Sequence, residues 1–266
     1  MGSHWLPLLE EMARKVRQVA LPLFGKSEAV GRGASGDVTE KIDAVAERAI
    51  IQVLEKRKVP CILVSEEIGV KKFGKRPTVY LIADPIDGTA NAINGVPFFA
   101  TSLAVSTGPN INGVIAGVVM NLYDGALFSA EKGGGAKQGG QKIKSSGNQD
   151  LEEAIIGVEF NRVDAKQLLR LAPLLKIVRH WRHLGADALE LCYVANGLES
   201  AFVDVRHILR VTDVAAAYLI VKEAGGIMVT PEGRELNAPL SPTARVSFIA
   251  AGNVSLLNKI QSLIRS

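Results

Sequence analysis

The most constraining feature of the sequence is an apolar run that stops at two closely spaced aspartates. Residues 79–83 have the composition of a short buried strand, and Asp84-Pro85-Ile86-Asp87-Gly88-Thr89 follows directly. Pro85 fixes one backbone torsion and Gly88 lets the chain reverse, so a turn at the strand end holds both carboxylates. Two carboxylates held this close repel each other unless a cation lies between them, which favours a hard, oxygen-preferring ion such as Mg²⁺.

Further acidic residues occupy positions from which they can join this pair. Glu66-Glu67 follows the apolar run 61–64 after one serine, and Asp213 precedes Val-Ala-Ala-Ala at the start of an apolar helix. Neighbouring strand ends in one sheet lie about 5 Å apart, so one of the glutamates can approach the aspartates. By itself, a glutamate pair is usually solvated surface, and an aspartate at a helix start is usually a cap.

The hydrophobic pattern predicts alternating helices and strands. Helical spacing marks residues 5–24 and 39–58, with Thr39 as the cap of the second helix. The Gly-rich polar segment between these helices, centred on residues 31–36, is typical of a mobile loop. Short β-prone runs between residues 100 and 145 indicate an antiparallel meander.

Strands and helices alternate again after residue 150, and no Pro- or Ser-rich linker divides the chain. The sequence therefore predicts a mixed α/β fold, α+β in the sense that it includes a substantial antiparallel sheet. We expect two subdomains that close over one another: residues 1–145 carry the main acidic motif, and residues 146–266 complete the site.

Composition excludes several other classes of protein. The 31 Lys and Arg residues against 27 Asp and Glu residues give a net charge of +4 without a polybasic block, too weak to indicate nucleic-acid binding. No apolar stretch is long enough to cross a bilayer, and nothing at the N-terminus matches a signal peptide, so we expect a cytoplasmic protein. Cys61 and Cys192 lie far apart in apolar runs, which predicts buried free thiols.

Taken together, the motifs resemble those of the inositol monophosphatase family of Mg²⁺-dependent, lithium-sensitive phosphatases. The segments DVTEKID, SEE, DPIDGT, RHLGADALELCYVANG, TDVAAA and EAGG occur in the family's order along nearly the whole chain. The resemblance implies a layered αβαβα sandwich of the inositol monophosphatase and fructose-1,6-bisphosphatase type. Val211-Thr212 stands where animal members have a Trp before the aspartate, so the chain looks most like archaeal members that act on both inositol 1-phosphate and fructose 1,6-bisphosphate.

The resemblance also implies a set of metal ligands and catalytic groups. One Mg²⁺ would be shared by Glu67, Asp84 and the Ile86 carbonyl, and a second by Asp84, Asp87 and Asp213, with Mn²⁺ able to substitute. Such a two-metal site would activate a water and neutralise charge on the leaving oxygen. Thr89 would position the attacking water with help from Glu66. Asp43 and Thr39 are similar to loop residues associated with a third, weaker ion, although both fit a helix start equally well.

Substrate contacts follow from the same motifs. Phosphate would be held by the residues around the turn, and polyol hydroxyls by the segment that matches the family's G-[ST]-A stretch, where Ala186 replaces a hydroxyl residue. A second phosphate would need an arginine clamp, for which Arg206 is preferred over Arg182 and Arg210. The expected substrate-binding residues are Asp87, Gly88, Thr89, Gly185, Ala186, Asp187, Asp204 and Arg206.

The predicted function is Mg²⁺-dependent hydrolysis of a small phosphorylated polyol or sugar, without nucleic-acid or membrane partners and, from the resemblance, in a homodimer. Two alternatives stay open. One is a 3′-phosphoadenosine 5′-phosphate phosphatase, although such relatives usually carry longer insertions. The other is a non-catalytic metal- or phosphate-binding scaffold, which the intact acidic residues disfavour.

Overall fold

The computed structural model describes residues 5–34, 36 and 38–265. Its α-helices are α1 (Trp5–Ala20), α2 (Lys41–Arg57), α3 (Thr89–Ile93), α4 (Ala165–Ile177), α5 (Asp187–Asn196), α6 (Val211–Glu223) and α7 (Val254–Ile264). Its strands are β1 (Ala29–Arg32), β2 (Val38–Glu40), β3 (Cys61–Ser65), β4 (Gly69–Phe73), β5 (Tyr80–Asp87), β6 (Ala100–Ser106), β7 (Val114–Asn121), β8 (Leu127–Glu131), β9 (Gly135–Gln138), β10 (Gln141–Lys142), β11 (Ile155–Val158), β12 (His180–Arg182), β13 (Ala201–Arg210), β14 (Ile227–Val229) and β15 (Arg245–Ala251).

Two sheets organise the chain. The larger has eight strands in the order β10-β9-β8-β7-β6-β5-β3-β4, and the smaller has five in the order β12-β11-β13-β15-β14. From β5 to β10 each strand pairs antiparallel with the next along the chain, which confirms the predicted meander. Strands β3 and β5 run parallel, so their carboxyl ends meet at one edge of the large sheet.

Apolar side chains divide the molecule into five layers. Helices α1 and α2 pack on one face of the large sheet, where Met12, Ile50 and Leu81 belong to one buried apolar cluster. Helices α5 and α6 lie between the two sheets, and α4 and α7 cover the far face of the small sheet. This arrangement confirms the predicted αβαβα sandwich.

Small residues bring α6 close to the large sheet. A Cβ placed on Gly117 of β7 would lie 2.8 Å from the Ala216 backbone oxygen, closer than packed atoms allow. The run of alanines after Asp213 thus has a structural reason, since larger side chains there would push the helix away from the sheet that carries the aspartates.

Part of the segment predicted as a loop forms strand β1, while its mobility stays a prediction. Strands β1 and β2 form an antiparallel hairpin, although Ser35 and Asp37 in this segment lie outside the described residues. The prediction of Thr39 as a helix cap was also wrong. Thr39 lies in β2, and Glu40 caps α2 through a reciprocal arrangement with Asp43.

Three other sequence-based predictions can be compared with the structure. The proposed boundary at residues 145/146 falls between β10 and β11, but division into subdomains stays a prediction. Both cysteines are free and buried, as predicted. None of the helices in the described part of the chain combines the length and apolar character needed to span a membrane.

Candidate active site

The site begins where β3 and β5 end side by side. Ser65 pairs with Ala83 in this parallel ladder, so the next residues along the two strands, Glu66 and Asp84, are neighbours. Together with Asp213, Glu66 and Asp84 offer carboxylate oxygens that all lie within 4.8 Å of one another. Of the two glutamates, Glu66 is therefore the one that approaches the aspartates, as the neighbouring strand ends predicted.

Asp84 and Asp87 are held by the irregular end of β5. The pairing with β6 shifts register between these two residues, and Asp84 accepts a hydrogen bond from the Ile86 N–H at 3.1 Å. Asp87 faces α5, where its two oxygens accept the Asp187 and Ala188 N–H groups at 3.1 and 2.8 Å. Asp87 thereby stabilises the positive end of the α5 dipole.

Asp213 comes to the cluster from the first turn of α6. Its Oδ2 accepts the Arg210 N–H at 3.1 Å, and its Oδ1 accepts the Thr212 hydroxyl at 3.0 Å. Asp213 is therefore also a helix-start residue, as the cautious interpretation of the sequence expected. The same hydrogen bonds fix its carboxylate beside those of Glu66 and Asp84.

Burial and mutual repulsion make these carboxylates costly to ionise without a cation. Burial, followed by the charge of Asp213, raises the pKa of Glu66 to about 9. Burial also raises the pKa values of Asp84 and Asp87 well above the ordinary range, with Glu66 and Asp213 respectively as the leading charged neighbours. The pKa of Asp213 is raised by burial too, against the opposing effect of Arg210.

This donor set fits a hard divalent cation. Buried carboxylate oxygens without thiolate or imidazole are the ligands that Mg²⁺ and Mn²⁺ prefer. A cation would also relieve the repulsion that raises the pKa values of these acids. The carboxylates of Glu66, Asp84 and Asp213 are therefore suited to bind a divalent metal ion.

Glu67 contacts the hairpin beside the cluster, and its charge helps raise the pKa values of Asp43 and Glu66. Its Oε2 accepts the Thr39 hydroxyl at 2.5 Å, so the structure connects Glu67 with the β1–β2 hairpin. The cluster position that we expected for Glu67 is held by Glu66, whose role had been expected to be an assisting one. The alternation of side chains after a strand could not distinguish these adjacent residues, because the chain leaves the sheet at that point.

Thr89 and Asp43 form a hydrogen-bonded pair beside the cluster. The Thr89 hydroxyl lies 2.8 Å from Asp43 Oδ1 and 3.0 Å from the Ile86 carbonyl oxygen. Asp43 also accepts the Glu40 N–H at 2.9 Å, and burial raises its pKa to about 7. The pair can orient the Thr89 oxygen toward a third partner and can hold a proton at Asp43.

Gly88 brings the turn against the segment expected to bind substrate. Its φ is +84°, and a Cβ there would lie 3.0 Å from the Ala186 Cβ and from the Gly185 carbonyl oxygen. Only glycine fits this left-handed and crowded position. Ala186 is fully buried in the contact, while the Asp187 Oδ1 is buried without a hydrogen-bond partner.

Two residues that the sequence analysis did not single out fix this segment. The Asn91 amide donates to the Leu184 and Phe98 carbonyl oxygens, both at 2.7 Å. The fully buried Glu190 accepts the Leu184 and Gly185 N–H groups at 3.2 and 3.1 Å. The position of Glu190 within the apolar run of α5 could have indicated its role, because a buried charge needs a specific partner.

Another missed residue is Glu47, one helical turn after Asp43. The Ser65 hydroxyl donates to its Oε2, and burial raises its pKa to about 7. The four-residue spacing of Asp43 and Glu47 places both on the same face of α2 and could have indicated this position.

Asp204 and Arg206 satisfy each other inside the protein. The Arg206 guanidinium donates two hydrogen bonds to the Asp204 carboxylate, both at 3.0 Å, and also lies 3.0 Å from Glu159 Oε1. Its side chain is only 2% exposed. The expectation that Arg206 clamps a distal phosphate and that Asp204 meets substrate hydroxyls was therefore wrong, because both are committed to a buried ion-pair network.

The geometry, a layered α/β sandwich with buried carboxylates and a hydroxyl at one sheet edge, is that of a metal-dependent phosphatase. A sequence model of the inositol monophosphatase family matches residues 3–265. The chain belongs to the inositol monophosphatase family, whose members are metal-dependent, generally with Mg²⁺. It is accordingly a phosphatase that acts on small phosphorylated substrates.

Individual relatives agree with this assignment. The chain is 38% identical to a fructose-1,6-bisphosphatase/inositol-1-monophosphatase from Methanothermobacter thermautotrophicus, covering 98% of this chain and 96% of that one. It is 34% identical to a bifunctional NADP phosphatase/NAD kinase from Methanococcus maripaludis, covering 94% of this chain but 47% of that protein. A crystal structure of an inositol monophosphatase-fructose 1,6-bisphosphatase superimposes with a TM-score of 0.86 at 33% identity, covering 98% of this chain and all of that one.

Proposed function

We propose that this phosphatase hydrolyses inositol 1-phosphate and fructose 1,6-bisphosphate. The observation that carries the proposal is the carboxylate cluster of Glu66, Asp84 and Asp213 with the Thr89–Asp43 pair beside it. The family relatives named above for both activities support the same pair of substrates.

The proposed cofactor is Mg²⁺, with two ions per chain, a third weaker ion near Asp43 and Thr39, and Mn²⁺ able to substitute. Glu66, Asp84 and the Ile86 carbonyl would hold one ion, with Glu66 taking the place first expected for Glu67. Asp84, Asp87 and Asp213 would hold the other. When bound, the ions supply activation of a water and neutralisation of charge on the phosphoryl and leaving oxygens.

Thr89 and Asp43 would prepare the attacking water. With the Thr89 proton donated to Asp43, a lone pair of the hydroxyl oxygen is available to accept a hydrogen bond from water. The water oxygen would attack phosphorus in line as the bond to the ester oxygen breaks, and that oxygen would leave as the alcohol after taking up a proton from solvent water. The water's proton passes toward Asp43, whose raised pKa suits a proton acceptor at neutral pH.

Phosphate would be oriented by the turn at Gly88 and Thr89, because N–H groups at the start of a helix have no partner within the helix. Gly185 and Asp187 would meet the polyol. Ala186 would contribute packing against Gly88 rather than a hydroxyl contact, since it is fully buried.

Release of inorganic phosphate tests this proposal directly. Inositol 1-phosphate, fructose 1,6-bisphosphate, 3′-phosphoadenosine 5′-phosphate and NADP are compared, each with Mg²⁺ and with chelator. Metal-dependent turnover of the first two supports the proposal. Preference for 3′-phosphoadenosine 5′-phosphate or NADP would move the function to nucleotide phosphates, as one relative's NADP phosphatase activity suggests. No turnover of any substrate would favour the non-catalytic scaffold.

The remaining sequence-based expectations are part of the proposal. A homodimer, a cytoplasmic location and the absence of nucleic-acid or membrane partners stay predictions. Sedimentation of the purified protein with and without Mg²⁺ measures the first of these.

A further inference from the structure

An arginine side chain enters the carboxylate cluster. Arg210 is the last residue of β13, and its Nη2 lies 2.8 Å from Glu66 Oε1. Its Nη1 lies 3.8 Å from Asp213 Oδ2, the same oxygen that accepts the Arg210 N–H. The guanidinium therefore contacts two of the three carboxylates that form the cluster.

The charge of Arg210 acts on the whole cluster. It lowers the pKa values of Glu66, Asp84 and Asp213, in each case against burial, which raises them. The side chain is 17% exposed, so water screens these interactions less than at an open surface. A planar guanidinium suits this position because its N–H groups can meet carboxylates from two directions.

Two neighbouring arginines make different contacts. Arg206 is buried between Asp204 and Glu159 and forms its ion pairs with these two residues. Arg245 pairs with Arg210 across β13 and β15, but its Nη1 donates to the carbonyl oxygens of Pro242 and Ala244 at 3.1 and 3.4 Å. Arg245 is therefore a matched cation near the cluster that donates to backbone carbonyls. Its charge also lowers the pKa of Asp213, but less than the charge of Arg210 does.

We propose that Arg210 is a built-in counter-cation of the metal site. In the metal-free protein it holds Glu66 and Asp213 together, and it competes with the metal ion for Glu66. This inference rests on the proposed metal-dependent function and adds a residue that sets the metal affinity rather than one that performs the chemistry.

The contacts of Arg210 link the stability of the metal-free protein to its affinity for metal. A contact that stabilises the metal-free state and weakens when the ion binds must lower metal affinity by the same factor by which it favours that state. Removing the guanidinium should thus destabilise the metal-free protein and tighten metal binding. A role limited to structure would produce the first effect without the second.

The test measures Mg²⁺ binding by titration calorimetry and thermal melting with chelator and with Mg²⁺. Arg210→Gln is compared with the wild type, with Arg210→Lys and with Arg245→Gln. We expect Arg210→Gln to bind Mg²⁺ about tenfold more tightly, as expected for removing a unit charge a few ångströms from a divalent ion. Its Tm with chelator should fall by about 3 °C, and its rise on adding Mg²⁺ should exceed that of the wild type.

The control variants distinguish the direct contact of Arg210 with the carboxylates from the general effect of a nearby positive charge. Arg210→Lys keeps the charge and loses the planar fork, so its affinity should lie between those of the wild type and Arg210→Gln. Arg245→Gln should bind Mg²⁺ nearly as the wild type does, and an equal tightening in this variant would overturn the inference. Unchanged or weaker binding by folded Arg210→Gln would overturn it as well.

Two outcomes need separate interpretation. If Arg210→Gln does not fold without metal, Arg210→Lys decides, and an affinity equal to that of the wild type then contradicts the inference. If the wild type itself binds no Mg²⁺, the proposed function fails first, and the role of Arg210 fails with it. Wild-type binding with unaltered variants contradicts only the role of Arg210.

Discussion

The Asp87 carboxylate accepts the Ala188 N–H at 2.8 Å, across 101 residues of sequence. This contact joins the irregular end of β5 to the first turn of α5, and so connects the large sheet with the middle helical layer. The side chain proposed to hold metal also fixes the segment proposed to hold substrate. If both proposed roles hold, the metal and substrate positions would be coupled through this one carboxylate.

Asp87→Asn tests the charge at this position with little change of shape. The amide oxygen can still accept one N–H from α5, so we expect a folded protein. Loss of the negative charge should lower Mg²⁺-dependent kcat at least about a hundredfold. Phosphate release and circular dichroism measure the two effects, and full activity in a folded variant would show that the site is misassigned.

Thr89 provides a test of the water-positioning pair. Thr89→Val removes the hydroxyl that lies 2.8 Å from Asp43 and should lower kcat about a hundredfold with little change in KM. Thr89→Ser keeps the hydroxyl and is the matched control, for which we expect most of the activity. Full activity in Thr89→Val, or a loss in Thr89→Ser as large as that in Thr89→Val, would contradict a role that depends on the hydroxyl alone.

Glu190 is expected to act through the segment it fixes. Glu190→Ala leaves the Leu184 and Gly185 N–H groups without their acceptor, which should raise KM several-fold more than it lowers kcat. Because these buried N–H groups lose their acceptor, the free energy of unfolding should also fall by about 2 kcal/mol.

Glu190→Gln keeps an oxygen acceptor and serves as the control. We expect it to restore the wild-type KM, measured by steady-state kinetics at saturating Mg²⁺. A KM in Glu190→Ala equal to that of the wild type would assign the residue to folding alone.

The sequence could predict alternating helices and strands and the acidic site because both depend on local patterns, whereas the five layers were expected from the family resemblance. The apolar run before Asp84 and the alanines after Asp213 each indicate a buried element. The choice between Glu66 and Glu67 depended on the direction in which the chain leaves β3, which no local pattern specifies. The burial of Arg206 could not be predicted either, because its partner Glu159 lies at the end of a different strand.

The buried carboxyl group of Glu199 predicts how the stability of the protein depends on pH. Burial, together with the charge of Glu190, raises the pKa of Glu199 to about 9. A carboxyl group whose pKa is raised on folding stabilises the fold below its unfolded pKa, and this contribution is lost as pH rises toward the folded value. Stability from Glu199 should therefore decline between about pH 5 and pH 9.

Glu199→Gln keeps the shape of the neutral side chain and removes the titration. Its Tm relative to the wild type should rise steadily from pH 5 to pH 9, by a few degrees at the upper end, because only the wild type must keep a buried proton or bury a charge. Glu55→Gln on the exposed face of α2 is the control and should show no such trend. A Tm difference between Glu199→Gln and the wild type that stays constant across this range would contradict the assigned pKa.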